Sequence, residues 1–333
     1  MGGELLKFEQ IASAYNNKPK QLAACKNWFP IFPSKELAEV IAALITDGHI
    51  DFSWRDGAPK LSKLLLYSNS RSECEWFLDK VYSLFGIRGK VVRYLSKTGF
   101  SKRHSYKALI QSSMLAKSFV LLGVPSGDKT KTEYYIPEWI VSGSPEIRAA
   151  FLRILFNFDG CVSLRSRRPS AIELNYCMNK RKDHIHNGVM FMLQIKNLLL
   201  HFGVKAGKLH IRHHKTDKFT LLLFVTNNNS VLNFYKYVGF LSRKKNFRLN
   251  LAVNRINQVR RVNYGSHLLT SLKNKFGTDN RAVLRLNQNS PVKYTLRQFE
   301  HMRRGESRIP LTMLLIASKI LNKNCHNPTS LLR

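Results

Sequence analysis

Two stretches decide the fold: VIAALITDG, residues 40–48, and LRILFNFDG, residues 152–160. Each is an apolar run ending in Asp-Gly, at Asp47-Gly48 and at Asp159-Gly160. Leu37, Val40, Ile41, Leu44 and Ile45 fall at helical spacing after Pro33-Ser34, and so do Ile147, Phe151, Leu155 and Phe158 after Ser144-Pro145-Glu146. A glycine ends a helix at no steric cost. An aspartate there faces the negative end of the helix dipole, which costs about 0.3–1 kcal/mol. One such aspartate reads as an ordinary turn. Two, at equivalent points of a repeat, ask for a compensating cation.

The repeat extends outward from these stretches. AALITDGHIDFS (42–53) recurs in type as RILFNFDGCVSL (153–164), LFGIRGKVVRYL (84–95) as HFGVKAGKLHIR (201–212), and LLGVP (121–125) as YVGFL (237–241). Gly48 and Gly160 are 112 apart, Gly86 and Gly203 are 117 apart, and Gly123 and Gly239 are 116 apart. Three landmarks in one order at nearly one offset mean two copies of a unit of domain size.

Each copy reads helix, strand, strand, helix, strand, strand, helix. In the first, HIDFS and SKLLLYSNS (62–70) are strands, SECEWFLDKVYSLFG (72–86) is a helix closed by Gly86, GKVVRYLS and HSYKALIQSS are strands, and SMLAKSFVLLG closes the unit. The expected domains are an N-terminal extension over 1–33, a first half over 34–125, a linker over 126–143, a second half over 144–255, and a helical region over 264–333.

Charge narrows the partner. The chain has 333 residues with 54 Lys+Arg against 21 Asp+Glu, a formal balance of +33, and is 44% hydrophobic. That is enough apolar content for real cores, and so much positive charge costs stability through self-repulsion unless a polyanion, most obviously nucleic acid, relieves it. Long low-complexity basic tails of the ribosomal kind are absent. No apolar run reaches membrane-spanning length, and Met1 leads into GGELLKFEQ rather than a secretory start. The expected location is the cytoplasm, a nucleoid or an organelle matrix. Cys25, Cys74, Cys161, Cys177 and Cys325 contain no C-x-x-C pair and read as reduced thiols.

VIAALITDG and LRILFNFDG resemble the two motif helices of LAGLIDADG proteins, and the resemblance covers about residues 34–255, with YIPEWI (135–140) and EIRAAFLRILF also family-like. It implies an α+β fold of two pseudo-symmetric αββαββα halves. Their motif helices pack side by side, and their antiparallel sheets form a saddle over the DNA major groove. It implies the double-motif homing endonucleases, single chains in which Asp47 and Asp159 bind Mg2+ or Mn2+ and position water for phosphodiester hydrolysis. Two positions depart from the pattern. The third motif position is small at Ala42 but Ile154 in the second half, so Ile154 needs a small partner such as Ala42 or Ala43. The sixth, acid-like position is Ile45 in one half and Asn157 in the other.

Family enzymes often place a basic residue at the end of each second strand, which nominates Arg71 and either Lys180 or Lys182, for a catalytic role or a plain phosphate contact. Period-two alternation sends every other strand residue toward DNA. Candidate contacts are Lys63, Tyr67, Asn69, Arg93, Lys107 and Gln111 in the first half and Arg165, Arg167, Arg212, His214 and Lys218 in the second. From Phe240 to Arg333 there are 19 Lys+Arg and three acids. There TLRQFEHMRRGESRIPLTMLLIASKIL (295–321) resembles the second half of a Cro/repressor-type helix-turn-helix domain. That resemblance implies a core of Phe299, Met302, Leu311, Leu314, Leu315 and Ile316, with Arg297, Arg303, Arg304 and Arg308 toward phosphate; a helical cap is the other reading.

The expected function is a monomeric, intron-encoded, site-specific endonuclease acting on double-stranded DNA. The alternatives are a maturase for host intron RNA and a non-cutting DNA-binding regulator. Met-Gly-Gly at the start, and His326-Asn327 followed by Pro328, speak against an enzyme embedded in a self-splicing protein.

Overall fold

The computed structural model describes residues 3–15, 17–55, 58–95, 104–164, 172–214, 217–259, 261–262 and 265–322. These divide into two compact units, the described residues up to 164 with 172–249, and those from 250 onward.

The first unit holds both repeats. Its opening helices α1 (Phe8–Ala14) and α2 (Pro19–Cys25) explain the unassigned N-terminal extension. Ile11 and Cys25 bury against Met114 of the helix that closes the first repeat. Helix α3 (Lys35–Ile45) starts where Ser34 Oγ accepts the amide of Leu37 at 3.1 Å, and every residue from Leu37 to Ile45 is buried. There follow β1 (Gly48–Arg55), β2 (Ala58–Ser68), α4 (Arg71–Phe85), β3 (Lys90–Leu95), β4 (His104–Ile110) and α5 (Ser113–Leu121). Gly86 ends α4 in the left-handed region at φ 68°, as the sequence predicts.

After the short α6 (Glu138–Val141), the second repeat begins with α7 (Pro145–Asp159), capped by Ser144 with Pro145 at its first position. It continues as β5 (Gly160–Leu164), β6 (Ile172–Arg181), α8 (Ile185–Leu200), β7 (His210–His213), β8 (Lys218–Val225) and α9 (Asn228–Tyr237). Both sheets are antiparallel with one strand order, β1-β2-β4-β3 and β5-β6-β8-β7. In each, one face packs on helices: α4 and α5 on the first sheet, α8 on the second.

Helices α3 and α7 pack against each other, which makes them the interface between the halves. Ala42, Ala43 and Ile154 have no exposed surface. The glycine that follows each helix is needed for space rather than for its conformation. Gly160 is extended, at φ −98° and ψ 160°. A Cβ on it would lie 2.5 Å from the Phe156 carbonyl oxygen, and one on Gly48 would lie 2.5 Å from Leu44 Cα.

The stretch 126–143, expected as a linker, is built into the structure instead. Tyr134, Ile136 and Ile140 are buried, and Asn187 and Gln194 of α8 bond the backbone at Tyr134 and Ile136.

Helix α10 (Arg243–Val259) leads to the second unit, with β9 (Arg261–Val262), α11 (Ser266–Phe276), α12 (Asp279–Gln288), α13 (Leu296–Arg303), β10 (Ile309–Pro310) and α14 (Leu311–Ile320). Its core joins Leu268, Leu272, Val283, Phe299, Met302 and Leu314. Leu315 and Ile316 are only partly buried; Met313 and Ala317 take the inner face of α14 in their place.

Substitutions at the helix interface should act in opposite volumes with the same sign. Ile154→Ala leaves a cavity and should cost about 2–5 kcal/mol, and Ala42→Leu overpacks the crossing and should cost about 1–3 kcal/mol. Denaturant unfolding of the two variants measures both.

Candidate active site

The paired helices deliver their aspartates to one place. Asp159, at the end of α7, feels the charge of Asp47, which follows α3, and both feel Lys129 and Lys245. Two lysines meet them there. Lys129 Nζ shares its three protons among four carbonyl oxygens, Leu44 O at 3.2 Å, Ile45 O at 3.0 Å, Gly48 O at 2.7 Å and Thr46 O. Lys245 Nζ donates to Asn157 O at 2.5 Å and Gly160 O at 2.6 Å. Each lysine thus satisfies carbonyls that a helix C-terminus leaves without partners, and puts positive charge where the dipole is negative. These are the compensating cations that the doubled Asp-Gly asks for.

The sequence alone singles out neither lysine. Lys129 falls in the expected linker and Lys245 in a basic run. A signal is present all the same: each follows the last glycine landmark of its repeat by six residues (129 − 123 = 6; 245 − 239 = 6).

Water reaches both carboxylates, since Asp47 is exposed and Asp159 half-buried, but the protein around them is dense. Desolvation is the main influence on the whole cluster. It pushes Asp159 from the ordinary 3.8 up to about 7, with the Asp47 charge adding to the rise. It raises Asp47 against the pull of Lys129 and Lys245. It draws Lys129 down to about 8, although both carboxylates favour its proton, and lowers Lys245.

Two carboxylates with carbonyls beside them are hard oxygen donors of the kind Mg2+ or Mn2+ takes. Among the described residues no three His, Cys, Asp or Glu side chains converge on a metal position. A cation held by Asp47 and Asp159 would therefore draw its remaining ligands from water or a phosphate.

A cleft of about 960 Å³ opens beside Asp47, lined among others by Tyr67, Asn69, Glu73, Asn157, Ser242 and Lys245. It continues onto the sheet face that helices leave open. Strand register decides which of the expected contacts lie there. Tyr67 pairs with Lys107, which pairs with Val92, and Asn69 Oδ1 accepts from Ser105 Oγ at 2.9 Å. Lys63, Tyr67, Asn69 and Lys107 share this face. In the second half Arg212 pairs with Thr220, Lys218 with Arg181, and His214 Nε2 lies 2.7 Å from Thr220 Oγ1, which places Arg212, His214 and Lys218 on the equivalent face.

The remaining expected residues lie elsewhere. Arg93 pairs with Tyr106, one step out of phase with Lys107, so it points to the opposite side of the sheet. Gln111 lies past the end of β4 in a separate cavity with Gln21, Trp28 and Phe85. Arg71 is exposed at the start of α4 and pairs with Glu75 at 2.8 Å. Lys180 has no exposed surface: its Nζ donates to Thr132 O at 2.6 Å and Asn187 Oδ1 at 2.8 Å and lies 4.1 Å from the centre of the Tyr134 ring. It is a buried structural cation because the inward phase of β6 carries it there, while Lys182 stays exposed on the following turn. In the second unit Arg303 is held by Asp279 through bonds of 2.9 and 3.0 Å, whereas Arg297, Arg304 and Arg308 are exposed. Arg165 and Arg167 lie outside the described residues.

Comparison with known proteins agrees with this architecture. Residues 146–239 match the LAGLIDADG-like domain family, so the second half is a domain of that kind. The first half repeats the element and strand order of that region. Among curated relatives, the tRNA-splicing ligase RtcB of Methanopyrus kandleri is 24% identical over 61% of this chain and 20% of its own length. The replication factor C small subunit of Methanocaldococcus jannaschii is 28% identical over 72% of this chain and 13% of its own length. The chain thus spans about a fifth or less of these relatives. Among solved structures, the homing endonuclease I-WcaI bound to its DNA recognition sequence matches with a TM-score of 0.46 at 14% identity, covering 73% of this chain and 97% of that one. Full-length DUF199/WhiA from Thermatoga maritima matches with a TM-score of 0.42 at 15% identity, covering 94% of both chains.

The raised Asp159 carboxyl sets a pH dependence. A carboxyl whose folded pKa exceeds its unfolded value binds its proton more tightly in the native state, so its ionisation destabilises the fold as pH rises. Without metal, Asp159→Asn should match the wild type in melting temperature near pH 4 and exceed it increasingly up to about pH 7, the folded-state value. Thermal melts in chelator across this range check it; a variant less stable at pH 7 would show that Asp159 is held by favourable contacts.

Proposed function

We propose that this chain is a site-specific double-strand DNA endonuclease of the homing type, hydrolysing phosphodiester bonds with Mg2+ or Mn2+ held by Asp47 and Asp159. The observation that carries this is the doubled constellation of one carboxylate and one lysine at the end of each motif helix. A protein that only bound DNA would gain nothing from it. Two partly desolvated carboxylates on a surface meant for a polyanion repel phosphate and weaken binding. A divalent cation reverses that sign: it supplies an activated water and neutralises charge on the phosphate oxygens. Lys129 and Lys245, anchored on backbone carbonyls, are placed to stabilise charge developing on the phosphate without having to move. The open sheet faces supply Lys63, Tyr67, Asn69, Lys107, Arg212, His214 and Lys218 for DNA contact, most of it with phosphate.

Because one chain carries both carboxylates, the cutting unit is a monomer. A portable genetic element is a natural home for it. Segments similar to this chain make up only 13–21% of proteins named as a tRNA-splicing ligase, a replication factor subunit, an aminotransferase, an ATP synthase subunit and an RNA polymerase subunit. One module shared by proteins of such different names supports a mobile origin.

Selection of cut ends from a randomised duplex library with Mg2+ identifies the target. Asp47→Asn and Asp159→Asn should each abolish double-strand cleavage of it while retaining binding, because metal ligation is lost and the sheets are not. Full cutting by either variant would falsify the assignment. Binding of one duplex without any nicking by the wild type would make the protein a regulator, and preference for folded intron RNA over duplex would make it a maturase.

The helical second unit is assigned a binding role through the exposed Arg297 and Arg304 near α13. Each neutralised phosphate releases counterions, so the double variant Arg297→Ala/Arg304→Ala should flatten the dependence of log affinity on log salt by about 0.9 for every phosphate it no longer neutralises. Single-turnover cleavage at saturating protein should stay unchanged. Fluorescence anisotropy over a series of salt concentrations reads the slope; an unaltered slope would mean that these arginines do not touch DNA.

A further inference from the structure

The two lysines are held by different means. Lys129 rides on a segment tied to the second half. Arg181 N donates to Thr130 O at 3.0 Å, Lys180 Nζ donates to Thr132 O at 2.6 Å, and Asn187 bonds both the amide and the carbonyl of Tyr134. The segment leading to Lys245 is held at Val238 by Arg153 Nε and at Phe240 by Asn246, and next to the lysine itself by the buried Asn157. Its Oδ1 accepts from Ser242 N at 2.7 Å, and its carbonyl accepts from Lys245 Nζ at 2.5 Å.

Asn157 in turn is oriented from the first half. Its Nδ2 donates to Glu73 Oε1 at 2.9 Å, and Glu73 Oε2 accepts from Ser68 Oγ at 2.5 Å. A carboxamide can present either end, but an ionised carboxylate only accepts. Glu73 therefore dictates that Nδ2 faces it and that Oδ1 is left for the Ser242 amide. The first half has no counterpart. Ile45 stands where Asn157 does, three residues before the glycine (48 − 45 = 3; 160 − 157 = 3). Glu73 is the third residue of α4, and the third residue of α8 is Asn187, which bonds the Tyr134 backbone and Lys180 Nζ rather than the end of α3.

We propose that Glu73 is a positioning residue for Lys245, fixing the second half's lysine through Asn157 and the Ser242 amide with a carboxylate supplied by the first half. The proposal rests on the endonuclease reading for its effect on cutting, and on geometry alone for its effect on the loop. The position of the second half's lysine then depends on Glu73 and that of the first half's lysine does not, although the Glu73 charge also reaches Asp47.

Hydrogen exchange at the Ser242 amide, in protein without metal or DNA, tests the geometry. The Thr46 amide, which donates to Ala42 O at 3.1 Å at the matching end of α3, is the control. Glu73→Ala should speed Ser242 exchange about tenfold, the worth of one hydrogen bond, and leave Thr46 unchanged. Glu73→Gln should restore protection, because its Oε1 still accepts from Asn157. With the duplex recovered from the library, strand-specific labels should show Glu73→Ala slowing one nick about tenfold relative to the other, and Glu73→Gln sparing it. Unchanged Ser242 exchange, equal loosening of Thr46, equal slowing of both nicks, or a glutamine variant as impaired as alanine would each overturn the proposal. If the wild type cuts no duplex but Ser242 responds as described, the positioning stands and the endonuclease reading falls.

Discussion

The structure depends on putting two like charges at the touching ends of two helices. Asp47 and Asp159 lie at the negative dipole ends of α3 and α7, with the Asp47 charge acting on Asp159, in surroundings that disfavour charge. The fold offsets this with Lys129 and Lys245, each saturated by carbonyls of the same helix ends. The helices must also pack closely for the carboxylates to meet, which accounts for the small Ala42 and Ala43 and for glycines with no room for a Cβ. The sheets follow from the same requirement: β1 and β5 begin at those glycines, and their open faces extend outward from the carboxylates.

Much of this is legible in the sequence because the chain states it twice. The glycine landmarks give the repeat, and the apolar spacing within each copy gives the same seven elements that the structure contains. Both aspartates follow from being repeated at a costly position. What escapes a sequence reading depends on how side chains turn. Lys180 and Arg93 are basic residues on strands, and only the register shows that one faces the core and the other the wrong side of its sheet. Lys129 escapes for a different reason: Gly127, Asp128 and Thr130 around it have the composition of a surface loop. Its burial comes from hydrogen bonds to β6 and α8, far away in sequence.

The two halves are similar in topology and different in detail. Position for position, Asn157 answers Ile45, Tyr176 answers Leu66, and a backbone strap answers a side-chain relay. Pseudo-symmetry therefore extends to the backbone and to the charged atoms nearest the carboxylates. Beyond them each half has its own means of holding its lysine.

The strap from 128 to 136 lies between the repeats by sequence and is held by the second through hydrogen bonding. The border between inherited copies is therefore not the border between parts that can be exchanged. A chimera joining this first half to a foreign second half just after Gly123 would keep α3 and lose the lysine that caps it. A junction after Pro137 would keep Lys129 but ask a foreign β6 and α8 to hold its backbone. Recombination between such genes is constrained by that crossing, and a successful exchange has to carry the residues corresponding to Lys180, Asn187 and Gln194 together with the strap they secure.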